Sequence, residues 1–216
     1  MTGSIGQTNA LSAFLALEKN RDLYLTRFKN SASVQKDIEY FKTKAAKINT
    51  VDEFVNDPKL LAFAATAFGL EADLKYPARL KKVLKESLGD EKALANKLID
   101  PRYREMAKFF SFGDVGLTKV KLSFTQQEVI DKYTTGAFEK SQAAINPALR
   151  DALYFERNAG KIKNGYDILG DNVLRAVVTY TLDLPPQIAV QSVEKQKQLI
   201  ESKLDIKKFQ NAAAIG

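Results

Sequence analysis

The chain of 216 residues contains no cysteine and no histidine. The absence of cysteine excludes disulfide bonds, thiolate nucleophiles and zinc–sulfur sites. The absence of histidine removes the most common general base and the most common metal ligand, and it excludes Ser-His-Asp and Cys-His catalytic arrangements. No phosphate-binding glycine loop or nucleophile-elbow motif is present either. We therefore expect a protein that is not an enzyme and has no cofactor or metal.

Long hydrophobic runs are also missing. No apolar stretch approaches the ~20 residues that a membrane-spanning helix needs, so no transmembrane segment is expected. Residues 1–9 are largely polar and place no basic residue ahead of an apolar stretch, which argues against a cleaved secretion signal. We expect the protein to be cytoplasmic, or to be exported without a cleaved signal.

What the chain does contain is typical of a soluble globular protein. Apolar residues make up 45% and charged residues 27% of the sequence. A chain of this length buries roughly 70% of its unfolded surface and needs no metal or disulfide for stability. The formal charge of +7 and the pI of about 9.3 make an anionic partner worth testing.

Much of the apolar spacing and helix punctuation occurs twice. The first pairs are separated by 114 residues: Tyr40 and Tyr154, Lys47 and Lys161, Asp57 and Asp171, Leu60 and Leu174, Leu70 and Leu184. The later pairs are separated by one residue more: Leu84 and Leu199, Glu86 and Glu201, Asp90 and Asp205, Asn96 and Asn211. The pattern predicts two related helical halves that use the repeat for packing.

Helix start and stop signals occur along most of the chain. Thr50 to Glu53 and Thr125 to Glu128 have the spacing of capping boxes. An N-cap residue followed by proline occurs at Asp57, Asp100 and Asn146. Gly69 is suited to end the apolar helix before it. The one exception is 115–124, where Val120, Leu122 and Phe124 alternate with polar residues and predict a short extended segment.

These signals predict an all-α protein with a duplicated multi-helix unit and roughly ten helices. We divide the chain into N-terminal helices (1–39), a first repeat copy (40–112), a connector with bridging helices (113–153) and a second copy (154–216). The whole chain is also compatible with one compact domain. The aromatic residues Phe63, Phe68, Tyr154 and Phe155 lie at helical spacing and are predicted to belong to the core rather than to stack on nucleic-acid bases.

Four segments carry a resemblance to a known family. They are 63–70 (Phe-Ala-Ala-Thr-Ala-Phe-Gly-Leu), 94–105, 153–157 and 199–206. Together they resemble the alphaproteobacterial domain-of-unknown-function family DUF1217, whose members are often encoded among flagellar genes. The resemblance implies a helical, non-enzymatic protein linked to flagellar assembly or motility, with protein partners that include flagellar components. If the protein is exported, the resemblance implies the flagellum as its destination. It supplies no catalytic residue.

The second copy ends without a counterpart of the Asp-Pro-Arg-Tyr segment at 100–103 of the first. Whatever that segment covers in the first copy must be open, or covered differently, in the second. We therefore take the end of the chain, 205–216, as a candidate partner surface, with Asp205, Lys207, Lys208 and Phe209 as its candidate residues. The alternative is a frayed terminus without function.

A basic run supplies the rival hypothesis, which is nucleic-acid binding. Its residues are Arg79, Lys81, Lys82 and Lys85, and a cluster of this kind can contact phosphates. Three apolar residues of the same segment lie on one side of its helix, which favours a solvated basic face. No recognition module accompanies the run, so we do not expect nucleic acid to be the partner. The sequence leaves the oligomeric state open.

Overall fold

The computed structural model describes the backbone of residues 5–210 and the side chains of residues 11–209. Within this range the chain is helical and contains no β-strand, as the sequence predicts. The α-helices are α1 (Ile5–Glu18), α2 (Arg21–Lys29), α3 (Ala32–Lys47), α4 (Val51–Asn56), α5 (Pro58–Ala67), α6 (Pro77–Lys85), α7 (Leu94–Lys97), α8 (Pro101–Phe110), α9 (Phe112–Val115), α10 (Ser123–Gln142), α11 (Pro147–Ala159), α12 (Gly165–Gly170), α13 (Asn172–Thr181), α14 (Val193–Lys203) and α15 (Lys207–Gln210). Two 3-10 helices, Glu71–Lys75 and Pro186–Val190, separate α5 from α6 and α13 from α14. The helices are shorter and more numerous than the roughly ten expected.

Most helix starts lie where the local sequence places them. The Asp57 carboxylate accepts from the amides of Lys59 and Leu60, and the Asp100 carboxylate accepts from the amide of Arg102. These side chains satisfy amides that the first helical turn leaves without a partner. Gly69 has a positive φ of 69° just after α5, as expected of a C-terminal glycine.

The prediction of an extended segment at 115–124 is wrong. The chain there forms the end of α9, a series of turns and the start of α10. The alternation has no common buried face, since Val120 is buried while Leu122 and Phe124 are exposed. Thr125, predicted as an N-cap, lies inside α10, which already begins at Ser123.

The described residues divide into two compact units. Leu17–Phe138 forms one, here called the central unit. The residues from Glu139 onward, with α1 up to Ala16, form the other, here called the terminal unit. Each has its own hydrophobic cluster, one around Phe41, Phe54 and Phe110 and the other around Ile162 and Ile168.

The predicted core aromatics lie in these clusters. Phe63 and Tyr154 are buried, while Phe68 and Phe155 pack against the clusters as partly buried residues. Among residues 5–210, no helix combines the length and the hydrophobicity that crossing a bilayer would require.

Several local contacts recur at the spacing of 114 residues. The Tyr40 hydroxyl donates to Asp57 over 2.6 Å, and the Tyr154 hydroxyl donates to Asp171 over 2.5 Å. Both carboxylates also cap the helix that follows, α5 or α13. The residue with positive φ after each helix, Gly69 or Asp183, keeps the spacing as well. Descent of the two halves from one ancestral unit stays a prediction.

Candidate functional site

The terminal unit carries an open groove along one face of α13. The helix starts at Asp171, whose carboxylate accepts from the amides of Val173 and Leu174 at 2.8 and 3.2 Å. It ends where the Leu184 amide donates to the carbonyl of Thr179 over 2.9 Å. These bonds fix the length and rotation of α13, and therefore which side chains face the groove.

Only one side of α13 packs into the terminal core. Leu174 and Val178 are buried, whereas Arg175, Ala176 and Tyr180 are exposed. The exposed side borders a cavity of ≈ 1080 Å³. The residues that line it are Leu169, Asn172, Arg175, Ala176, Thr179, Tyr180, Thr181, Asp183, Leu184, Pro186, Ile188, Ala189, Gln196 and Ile200. We call this cavity and its lining residues the α13 groove.

The lining of the α13 groove combines apolar side chains with polar ones, and few of them are charged. Tyr180 is 70% exposed, and Val190, which follows the lining residue Ala189, is 88% exposed. The charged residues in the lining are Arg175 on α13 and Asp183 just after its end. A partly apolar surface with a separated positive and negative charge is suited to binding a protein segment.

The corresponding face of the central unit is covered more closely. Leu61 and Ala65 of α5, the counterparts of Arg175 and Thr179 at the spacing of 114, are buried. The helix α8 reaches the segment that follows α5, where the Arg102 guanidinium donates to the carbonyl of Gly69 over 2.7 Å. The next residue of α8, Tyr103, donates its hydroxyl to the carboxylate of Asp73. α8 therefore contacts the chain just beyond the end of α5.

The helix α10 closes the neighbouring side of α5. The ring of Tyr133 stacks on Phe63 with centroids 3.8 Å apart. Gly136 lies so near α5 that a Cβ there would sit 2.4 Å from the carbonyl oxygen of Thr66. The equivalent position to Thr66 at the spacing of 114 is Tyr180, which is exposed. The two units therefore differ in how they cover corresponding helices.

Polar contacts brace the helices next to the α13 groove. The Glu201 carboxylate accepts from the amide of Gly165 over 2.8 Å and pairs with Lys197 at 3.1 Å. The hydrogen bond from Gly165 and the pair with Lys197 lower the pKa of Glu201 and outweigh its burial. The Tyr166 hydroxyl donates to Glu194, and this hydrogen bond raises the pKa of Tyr166. These groups are held in pairs that connect α12 to α14.

A smaller cavity of ≈ 150 Å³ lies in the central unit between α3, α5 and α10. Its polar groups are Asp37, Tyr40, Lys59, Thr66 and Tyr133. The Tyr133 hydroxyl donates to Asp37 over 2.6 Å, and burial together with this bond raises the pKa of Tyr133. A tyrosine with a raised pKa keeps its proton at neutral pH and does not act as a general base. Among the described residues, no cluster of acidic side chains is arranged to hold a metal ion.

Each residue of the predicted basic face has a polar partner. Arg79 donates to the Tyr103 hydroxyl and lies 3.5 Å from Asp73. The three lysines are held as follows: Lys81 donates to Asn56 over 2.9 Å, Lys82 lies 3.6 Å from Glu86, and Lys85 pairs with Asp52 at 2.8 Å. The apolar side of the same helix is buried through Leu80, Val83 and Leu84.

The predicted partner surface at the end of the chain lies on and before α15. Lys207 and Lys208 are exposed, and the Asp205 carboxylate accepts from the amide of Lys207. Phe209 instead packs on Phe155 with ring centroids 5.6 Å apart. Its aromatic ring is therefore part of the terminal cluster. Residues 211–216, which the sequence argument also includes, lie outside the described residues.

The α13 groove was not placed by sequence reasoning. The partner surface predicted from the sequence lies instead at the end of the chain. A signal for the groove was available in the repeat itself: Leu61 and Thr66 are replaced by Arg175 and Tyr180. A buried leucine position that becomes arginine indicates that the face has changed from covered to open.

Two comparisons with known proteins match this chain, a family model over its later part and a solved structure over nearly its whole length. A family model described as "Protein of unknown function (DUF1217)" matches residues 67–215, which confirms the resemblance seen in the sequence. The chain is also similar to the crystal structure of protein AGR_C_984 from Agrobacterium tumefaciens, with a TM-score of 0.82 and 32% identity. That similarity covers 98% of this chain and 90% of the other. No curated protein matches the chain.

Proposed function

The chain belongs to the family DUF1217, and on that premise we propose that it is a non-enzymatic, protein-binding component linked to bacterial flagellar assembly or motility. The observation that carries the binding role is the α13 groove. It combines a cavity of ≈ 1080 Å³ with exposed aromatic and aliphatic side chains. Exposed apolar surface next to a concave site is characteristic of protein-binding surfaces.

The flagellar part of the proposal comes from the resemblance, because members of the family are often encoded among flagellar genes. Gene neighbourhood is an association and says nothing about contacts. The surface of the protein supports a binding role of this kind through the α13 groove. The basic face gives nucleic-acid binding less support, since its four cationic side chains are already engaged within the chain.

The proposal is tested by deleting the gene in the source bacterium and measuring swimming in soft agar. We expect the deletion to reduce the swimming diameter and a wild-type copy to restore it. A copy with Ala176→Glu should fail, because it places an unpaired charge in the α13 groove. A copy with Glu91→Lys, which changes the charge by two units at an exposed position of the central unit, serves as the control and should restore swimming.

Immunoblots must show equal amounts of each variant, so that failure is not caused by loss of protein. Normal swimming of the deletion strain would refute the flagellar part of the proposal. Full restoration by Ala176→Glu would show that the α13 groove has no role in that function.

A further inference from the structure

The central unit shows how the chain closes a helix face of the kind that the α13 groove leaves open. α5 and α13 have the same length, the same type of capping aspartate and the same hydrogen bond from a tyrosine to that aspartate. Both end in a residue with positive φ. Positions along α5 can therefore be compared one by one with positions along α13, without any assumption about common descent.

In the central unit, the contacts with α8 begin at its first turn. Arg102 reaches the carbonyl of Gly69, and Tyr103 reaches Asp73 of the following 3-10 helix. The residues of α8 that face inward, Tyr103, Met106, Ala107 and Phe110, are all buried. Their spacing is that of one apolar face of an amphipathic helix.

In the terminal unit, the position that corresponds to Gly69 is Asp183, and it lines the α13 groove. An arginine that donates to a carbonyl in the central unit would here meet a carboxylate. A charge-assisted hydrogen bond of this kind is roughly twice as strong as a neutral one. The charge of Asp183 therefore favours a partner with a basic residue at the same place.

The dimensions of the groove fit one helix. Its lining residues on α13 run from Asn172 to Thr181, a length of ~15 Å or a little under three turns. Ala176 and Ala189 are small and permit close approach of a helix backbone, as small residues do at close helix contacts. Arg175 also belongs to the lining and suits an acidic residue further along the same bound helix.

We propose that the α13 groove binds one amphipathic helix of a partner protein, with an arginine in its first turn opposite Asp183 and apolar anchors over the next two turns. This inference rests on the proposed function and names its ligand. Binding of such a helix uses the helix-in-groove mode, in which residues at i, i+3 or i+4 and i+7 enter the groove.

The probe is a labelled synthetic peptide with residues 99–112 of this chain, which contains α8 with its flanking residues. Fluorescence anisotropy measures its binding to the full-length protein. We expect saturable binding that Ala176→Glu weakens at least tenfold and that Glu91→Lys leaves unchanged. Circular dichroism of each variant must match that of the wild type.

A charge swap tests the orientation of the bound helix. Asp183→Lys should weaken binding of the peptide about fivefold or more, and a peptide with Arg102→Glu should recover most of that loss against Asp183→Lys. Because the swap changes one charge on each side, recovery cannot come from a general effect on folding.

Three results would overturn the inference. The first is an absence of binding, and the second is binding that Ala176→Glu does not weaken. The third is that the Asp183→Lys protein binds the Arg102→Glu peptide no better than it binds the unmodified peptide. A protein that is dimeric in size-exclusion chromatography and that Ala176→Glu makes monomeric would also overturn it, since a second copy would then fill the groove.

The peptide-binding assay and the swimming assay can fail independently of each other. If Ala176→Glu abolishes swimming while the peptide does not bind, the proposed function stands and the helix ligand is wrong. If the peptide binds as expected while Ala176→Glu restores swimming, the ligand class stands and the proposed function is wrong.

Discussion

Replacement of Gly136 by alanine tests the packing of α10 on α5, which closes one side of the central unit. Two effects of this change oppose each other. Alanine favours a helix interior by about 1 kcal/mol relative to glycine. Its methyl carbon, however, would lie 2.4 Å from the carbonyl oxygen of Thr66, so the two helix backbones must separate by ~1 Å to reach ordinary contact.

The steric effect should be larger than the gain in helix propensity, because neither the Cβ at 136 nor the carbonyl oxygen of Thr66 can rotate away from the other. Overpacking of a core costs about 1–3 kcal/mol, and a clash between two helix backbones belongs at the upper end. Subtracting the helix propensity leaves a loss of about 2 kcal/mol, which for a chain of this size lowers the melting temperature by about 4–8 °C. Separation of the helices would also weaken the stack of Phe63 on Tyr133, whose ring centroids lie 3.8 Å apart.

The assay is urea unfolding followed by circular dichroism, with melting curves as a second measure. Gly160→Ala is the matched control, because a Cβ at Gly160 meets only the carbonyl oxygen of Phe209 at an ordinary 3.8 Å. Gly160 also has an ordinary right-handed conformation, so alanine there should be neutral or should add about 0.5 kcal/mol. A Gly136→Ala protein as stable as the wild type would refute the close packing of α10 on α5.

Four further predictions follow from the described contacts. Asp57→Ala should cost about 1 kcal/mol of stability at pH 7 through loss of the helix cap. Because the folded-state pKa of Asp57 is lowered, its contribution to stability is full above the unfolded pKa of ~4 and is lost as the pH falls through the folded value. The difference from wild type in urea unfolding should therefore shrink at pH 3. Arg157→Met should cost about 2 kcal/mol of stability, since it leaves the buried carboxylate of Glu139 without its guanidinium partner. The cost is less than the ~3–5 kcal/mol of a fully buried pair because Arg157 keeps solvent contact. Adding Glu139→Leu should restore part of the loss in a double-mutant cycle. Gly69→Ala should lower stability by about 1–2 kcal/mol while Asp183→Gly raises it by up to about 1 kcal/mol, because both positions have positive φ; equal melting temperatures of the two variants would contradict this. Duplex DNA should show no salt-sensitive retardation in a gel-shift assay, and a shift that alanine at the basic-face lysines removes would favour the rival hypothesis.

Local sequence signals place three of the predicted helix caps correctly, whereas the cap predicted at Thr125 lies inside α10. The caps at Asp57, Asp100 and Asn146 involve residues two or three positions apart, and the chain shows them before any tertiary contact is known. The alternation of apolar and polar residues at 115–124 gave a wrong prediction, because such alternation indicates a strand only if its apolar side is buried. The structure buries Val120 alone, and its surroundings come from distant parts of the chain.

The candidate site was only half visible in the sequence. The replacement of the buried Leu61 by Arg175 at the spacing of 114 indicates a change from a covered to an open face. What covers the face in the central unit is not visible locally, because the contacts of α8 there join Arg102 to Gly69 and Tyr103 to Asp73, about 30 residues away in the chain. Contacts at such separations leave no local pattern.

The sequence by itself determined the helical class, the helix starts, the core aromatics and the family, because caps, apolar spacing and recognisable segments are properties of short stretches. Only the tertiary structure decided which face of α13 is open and that Phe209 belongs to the terminal cluster. It also decided that three cations of the basic face, Arg79, Lys82 and Lys85, lie beside carboxylates, while Lys81 donates to Asn56. The physical reason is that burial and charge pairing depend on which elements meet in space, and α8 contacts the chain just beyond the end of α5 while one face of α13 stays exposed.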